Sequence, residues 1–392
     1  MATNDTEKLP FKEIIPWNEP VDGTELLNSI EAIFTRYLSL PDGAATTQAV
    51  WVLHTYCIDL FEFTPRLCLV SPEKRCGKTT NLRLIENLSY RPVNVASTST
   101  ASLFRGIDKW HPTMCIDEAD TFINGYDELR GIINAGYEQD GKVSRTECVG
   151  KKYDVKLFRC FSPVAIAAIG SIPGTIADRG ITICMQRKKS DEHKDKLRIS
   201  KIKPNLYEIQ RKCLRFAKDN KGAIINADPD IPNVFNDRAA DIWETLFKIV
   251  SVVSPEWTER LRIASLLLYK SKIASDPQSI RVTLLSDIRD IFKEKNNPKY
   301  IATENLLNEL KGIKISPWEH YNNRGLNDHS LAGLLSSFNI ISHQMRAPDG
   351  RKYRYVLKDF QDAFERYLAP LQDNEKDCAS VPDDTDILDI PD

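Results

Sequence analysis

The chain has 392 residues, 42% of them hydrophobic and 28% charged, with a formal net charge of −2. That length predicts two or three domains with ample material for a core, and the balance excludes disordered and fibrous classes. No apolar run approaches the roughly 18–20 residues of a membrane span, and the opening MATNDTEKLPFKE lacks the basic-then-apolar plan of a signal peptide. A cytoplasmic protein without a membrane partner is expected. Nine cysteines, with no C-x-x-C pair, predict free thiols in a reducing compartment. Cys68, Cys115 and Cys184 fall in apolar strand-like runs, where burial is expected. Six dispersed histidines and the lack of paired cysteines argue against structural zinc.

In chain order, Leu26, Leu27, Ile30, Ile33, Phe34, Tyr37 and Leu38 recur at helical spacing behind a Thr24 cap. PDG at 41–43 breaks the chain, and a second helix is expected over 46–61. An α/β alternation follows. Strands are expected at 66–70, 93–96, 113–117, 164–170 and 180–186, and helices at 78–88, 100–110 and 126–138. Residues 142–161 alternate around a central VGKK and predict a β-hairpin. Residues 194–272 read as helical. Helices within 283–295, 302–312 and 327–338 lead into two strands joined by PDG within 340–357, the plan of a winged helix. The segment 371–392 holds eight acids and one lysine, which leaves about +5 on the rest of the chain. It is expected to be disordered, a solubility or interaction tail.

The stretch SPEKRCGKTT, 71–80, joins an apolar strand to a helix. In that context Gly77, Lys78 and Thr79 read as a phosphate-binding loop, with Pro72 where the general signature has its first glycine. The backbone amides of Lys74, Arg75, Cys76, Gly77, Lys78, Thr79 and Thr80 would face phosphate, helped by the helix N-terminus. Lys78 would reach the β- and γ-phosphates, and Thr79 would bind Mg²⁺. A chance strand–turn–helix junction is the alternative. The second motif, TMCIDEAD, ends an apolar strand in two carboxylates. Asp117 is expected to hold the Mg²⁺ water shell and Glu118 to orient and deprotonate an attacking water. This pair favours hydrolysis of ATP over phosphoryl transfer to a small substrate. Arg179, before the fifth strand, is expected to act in trans on a neighbour's nucleotide, the alternative being a surface pair with Asp178. Ser171 is a candidate sensor of γ-phosphate.

SPEKRCGKTT, MCIDEADTF, ELRGIINAG, IGSIPGTIADRGITI and NDRAADIWETL occur in that order. They resemble a family of phage, prophage and plasmid P-loop ATPases carried as a domain of unknown function. The resemblance covers about 26–368. More broadly, the element order looks like an AAA+ module, akin to superfamily 3 and MCM-like helicases. The resemblance implies an α/β AAA+-like P-loop NTPase core, a parallel sheet flanked by helices, with N-terminal helices, a helical lid and a C-terminal winged helix. The expected spans are 1–61, 62–190, 191–275, 276–370 and the tail 371–392. It further implies that Arg238 is a lid arginine contacting γ-phosphate, with an ion pair to Asp241 as the alternative. The hairpin would enter a central pore, with Lys151 and Lys152 touching DNA. The assembly would be a homo-oligomeric ring, a hexamer favoured.

On the second hairpin, Arg346, Arg351, Lys352 and Arg354 suit phosphate contacts. The expected recognition helix, 327–338, has no arginine or lysine, which argues against sequence-specific reading. The function expected is ATP hydrolysis coupled to DNA unwinding or translocation in replication of a mobile element. A regulatory or defence ATPase acting on protein partners, and a DNA-binding module with an inert loop, remain as alternatives.

Overall fold

The computed structural model describes residues 9–95, 99–119, 127–149, 152–275, 277–313, 316–319, 321, 325–348 and 350–368. The expected acidic tail and Lys151 lie outside these residues. The chain divides into two compact units, Met1–Ile273 and Ala274–Asp392.

The first unit opens with α1 (Gly23–Tyr37) and α2 (Ala44–Tyr56). The cap of α1 is Asp22, whose carboxylate accepts from the Glu25 amide at 2.9 Å, and not the expected Thr24. The chain then enters an α/β region: β1 (Arg66–Ser71), α3 (Lys78–Leu88), β2 (Pro92–Val95), α4 (Thr100–Trp110), β3 (Thr113–Ile116) and α5 (Asp127–Ala135). A hairpin follows, β4 (Lys142–Val149) and β5 (Lys152–Arg159), and then β6 (Val164–Ile169), α6 (Gly174–Asp178) and β7 (Gly180–Cys184). The helices α7 (Ile199–Asp219), α8 (Lys221–Ile225), α9 (Asp237–Val253) and α10 (Pro255–Ser275) complete it.

Among the described residues, five strands form a parallel sheet in the order β2-β3-β6-β1-β7. Parallel pairing demands crossovers, so helices cover both faces and the strands read as unbroken apolar runs. Alternate residues of β1 divide between the two layers. Leu67 and Leu69 join a core with Phe34, Trp51, Leu84 and Leu246, on the side of α1, α2, α3 and α9. Cys68 joins Phe104, Ile132 and Phe158, on the side of α4, α5 and the hairpin. Because every strand runs the same way, all carboxyl ends lie along one edge, where ligands of open α/β sheets bind.

In the second unit, α11 (Pro277–Glu294), α12 (Thr303–Gly312), α13 (Asp328–Ser336) and α14 (Leu357–Tyr367) pack with an antiparallel sheet. Its strands are β8 (Tyr300–Ala302), β9 (His343–Ala347) and β10 (Gly350–Val356), in the order β8-β10-β9. Phe292, Trp318 and Phe360 are fully buried at its centre. Neither β8 nor α14 was expected. Three residues are too few to show a period of two, and β8 exists through its pairing with Arg354–Val356.

Candidate functional site

The loop between β1 and α3 begins at the carboxyl end of a central strand. Gly77 caps α3 at φ +83 and offers no side-chain hydrogen bond to the first turn. That conformation is readily available to glycine. The first amides of a helix lack intrahelical partners and carry partial positive charge, so α3 presents an uncapped, anion-attracting end. Cys76 is buried in the core, so what it can offer a ligand is its backbone. Lys78 is also largely buried, at 9% exposure, and its ammonium folds back onto the Ser71 hydroxyl and, at 3.3 Å, the Glu73 carbonyl.

The acid pair follows the end of β3. Asp117 accepts from the Glu118 amide at 2.9 Å. Glu118 has φ +52, a left-handed conformation costing a non-glycine residue on the order of 1 kcal/mol. Strand β3 lies next to β6, and β6 next to β1, so the acid pair and the loop share one sheet edge.

Between them lies a cavity of about 350 Å³, lined by Lys74 through Thr80, by Asp117 and Glu118, and by Ala167–Ile169 at the end of β6. An ammonium, a hydroxyl at the helix start, an uncapped helix end and two carboxylates therefore converge on one volume. Thr79 and Asp117 are among the oxygen donors lining it and could hold Mg²⁺, which takes one or two protein oxygens together with phosphate and water. Ser171 follows β6 at the same edge, exposed, and does not line the cavity. A larger groove of about 620 Å³ lies between residues 17–22, α1 and α7. It lacks any comparable convergence of phosphate-binding and water-activating groups, so size does not select the site here.

Arg179 stands at the other edge of the sheet. Its carbonyl accepts from the Arg66 amide, and Gly180 pairs with Arg66 at the amino end of β1. Its guanidinium donates to the Thr175 carbonyl at 2.9 Å and lies 5.8 Å from the centre of the Tyr137 ring. Arg238, at the start of α9, is bonded to Asp178 at this same amino-terminal edge. The contact with Asp178 raises the Arg238 pKa above its ordinary value. Arg238 does not line the cavity of its own chain, and its ion pair is with Asp178 where Asp241 was the alternative expected.

The first hairpin pairs Lys142 with Arg159 through to Val149 with Lys152. Its inner face packs on α4 and α5 through Phe158 against Phe104, Arg105 with Glu147, and Arg145 with Glu128. Its outer face carries Tyr153, Val155 and Leu157, exposed by 80%, 66% and 61%. In the second unit, Arg346 and Arg351 stand directly opposite each other on β9 and β10, and Lys352 adjoins them. All three are exposed. Arg354 corrects the expectation of a phosphate contact. It is 1% exposed, with its guanidinium 5.2 Å from the Tyr300 ring centre, inside the unit. Sequence reasoning also missed the roles of Ser71 and Glu73, which lie within the loop, and of Arg187, which reaches it only through the fold.

The fold and the cavity define an α/β protein with a polar cavity at the carboxyl ends of a parallel sheet. Residues 184–367 match a family described as a protein of unknown function, DUF3631. That span begins at the end of β7, so the loop and the acid pair precede it. Over 142 residues the chain is 37% identical to an uncharacterized 28.9 kDa protein encoded in the xis 5′ region of Saccharopolyspora erythraea. The match covers 36% of this chain and 52% of that protein, so the chain spans about half the length of this curated relative. The apo structure of the NrS-1 C-terminal region aligns with a TM-score of 0.38 at 10% identity, over 88% of this chain and 77% of that one. At that level neither fold nor function transfers.

Proposed function

We propose that this protein is a P-loop ATPase of AAA+-like type that hydrolyses ATP to ADP and phosphate. The observation that carries the reading is the shared cavity, in which the Lys74–Thr80 loop faces Asp117 and Glu118. In this reading the loop amides and the α3 N-terminus bind the β-phosphate. Lys78, still held by Ser71, offers its remaining donor to the β- and γ-phosphates. Glu118 takes the proton of a water whose oxygen attacks the γ-phosphorus, as the bond to the ADP oxygen breaks. Mg²⁺, held by Thr79 and Asp117, would neutralise charge on the phosphate oxygens. Arg179 and Arg238 lie on the edge opposite the cavity, so they would serve the nucleotide of a neighbouring copy. A homo-oligomeric ring, a hexamer favoured, accommodates that arrangement.

The partner in this reading is DNA, and the task is unwinding or translocation during replication of a phage, prophage or plasmid. Supporting it, like charges placed directly opposite on paired strands are destabilising. Arg346 and Arg351 are therefore suited to a polyanion on the wing of a winged helix. The outer face of the first hairpin favours a second reading, an ATPase that remodels protein partners, because Tyr153, Val155 and Leu157 offer apolar contact there.

Phosphate release by wild type and Glu118→Gln, with and without single-stranded DNA, separates these. Turnover stimulated by DNA and lost in Glu118→Gln supports the first reading. Turnover indifferent to DNA supports the second. No turnover by wild type under assembling conditions overturns the ATPase reading.

A further inference from the structure

At its opening, the loop between β1 and α3 is braced by side chains. Ser71, the last residue of β1, is 2% exposed. Its hydroxyl donates to the Glu73 carbonyl at 2.5 Å and accepts from the Lys78 ammonium. The same Glu73 carbonyl receives Lys78 at 3.3 Å. Glu73 is held in turn, because Arg187, three residues past β7, donates to its carboxylate at 2.7 Å and reaches the Lys74 carbonyl at 3.4 Å. Proline at position 72 has a fixed φ and no amide hydrogen. The turn that follows it is closed by the Ser71 hydroxyl, which needs neither.

A lysine ammonium is a compact, strongly hydrated charge with three donors. Burying it without partners is costly. Here the Ser71 oxygen and the Glu73 carbonyl satisfy two donors and leave one for an incoming anion. Both acceptors are neutral, so they hold the charge without cancelling it. An acidic partner in the same place would compete with phosphate.

We propose that Ser71 is a positioning residue for Lys78. It holds the ammonium at the mouth of the phosphate loop in the empty protein and keeps hold of it while the remaining donor meets the nucleotide. Arg187 acts one step further back by fixing Glu73. This inference rests on the reading of the loop as a nucleotide site, and it accounts for Pro72, which departs from the general signature.

The test has two arms on the full chain, using wild type, Ser71→Ala and Ser71→Thr, with thermal melts to confirm folding. In the first arm the nucleotide-free protein is acetylated with acetic anhydride across pH 7 to 9.5. Modification at Lys78 is followed by mass spectrometry against the other lysines. Lys78 is expected to react about fivefold faster in Ser71→Ala, with threonine restoring the slow rate, on the order expected for the net contribution of one hydrogen bond. In the second arm a fluorescent ATP analogue with Mg²⁺ is titrated. Its Kd is expected to rise about five- to tenfold in Ser71→Ala and to stay within about twofold in Ser71→Thr. If the alanine variant does not fold, Ser71→Cys, close to serine in volume, carries the same expectations.

Wild-type labelling and binding rates in Ser71→Ala overturn the proposal, as does a threonine variant as impaired as alanine. Faster labelling with unchanged binding overturns the role toward nucleotide. Saturable binding by wild type but not by Lys78→Ala keeps the nucleotide reading apart from this one. Its absence in wild type overturns the nucleotide reading and the role toward nucleotide together, while the labelling arm still decides whether Ser71 holds Lys78.

Discussion

Arg238 and Asp178 form an ion pair although 60 residues separate them. Arg238 opens α9, and Asp178 directly precedes Arg179. The pair therefore ties the start of a helix to the short turn that presents Arg179, at the amino-terminal edge of the sheet.

Both members are nearly half exposed, and pairs of that kind contribute about 1 kcal/mol or less. Arg238→Ala should accordingly lower unfolding free energy by no more than about 1 kcal/mol, read by urea titration. In the proposed ring it should still remove most phosphate release. Mixing Arg179→Ala with Lys78→Ala subunits should restore part of the activity, because each supplies what the other lacks. No recovery in oligomers shown to be mixed would exclude action in trans.

Glu118→Gln should reduce phosphate release by about 100-fold or more, the scale of a lost general base, while the ATP analogue binds within about threefold of wild type. Glu118→Gly should be equally inactive yet at least as stable as wild type, because glycine adopts φ +52 without the steric cost. A glycine variant that melts well below wild type would mean that the carboxylate has a structural role.

His54 lies in the core, and burial, with Arg66 nearby, pushes its pKa down to about 3. The unfolded chain takes up this proton below about pH 6.5 and the folded chain does not. The unfolded state thus binds more protons between pH 6.5 and about 3, and stability falls as pH falls through that window. The loss from this group reaches about 2 kcal/mol at pH 5. Urea unfolding at pH 7.5, 6 and 5 should show it, and His54→Leu should flatten the slope. An unchanged slope would assign the acid limb to other groups.

Arg354→Ala should destabilise the second unit by about 2–4 kcal/mol, since it strips a buried charged group from its contacts with Tyr300 and the Gly350 carbonyl. Arg351→Ala, on the surface, should cost about 0.5 kcal/mol or less. If the wing meets DNA, Arg351→Ala should reduce the salt dependence of binding by about one counterion. Equal stability of the two variants would contradict the burial of Arg354.

Local periodicity made much of the molecule legible. The helices at 78–88 and 100–110 begin and end where the pattern places them, and the strands differ by a residue or two. The cavity was legible for the same reason. A loop after one apolar strand and two acids after another must meet at one edge once both strands run parallel in one sheet, here with β6 between them. Exposure was less readable. The alternation over 152–159 predicts a hairpin, but only its packing on α4 and α5 decides that Phe158 is buried while Tyr153 faces out. Arg354 sits among basic residues in the sequence, and only the enclosure of β10 between β8 and β9 separates it from Arg351.

The amino-acid sequence by itself determined the parallel α/β core, the loop at Lys78 and the acid pair at Asp117 and Glu118, because each depends on residues close together in the chain. The tertiary structure alone decided that Arg238 takes Asp178, that Arg187 grips Glu73, and that Arg354 is internal. Those outcomes turn on which charged and polar groups arrive within hydrogen-bond reach after distant segments pack, and spacing along the chain carries no record of that.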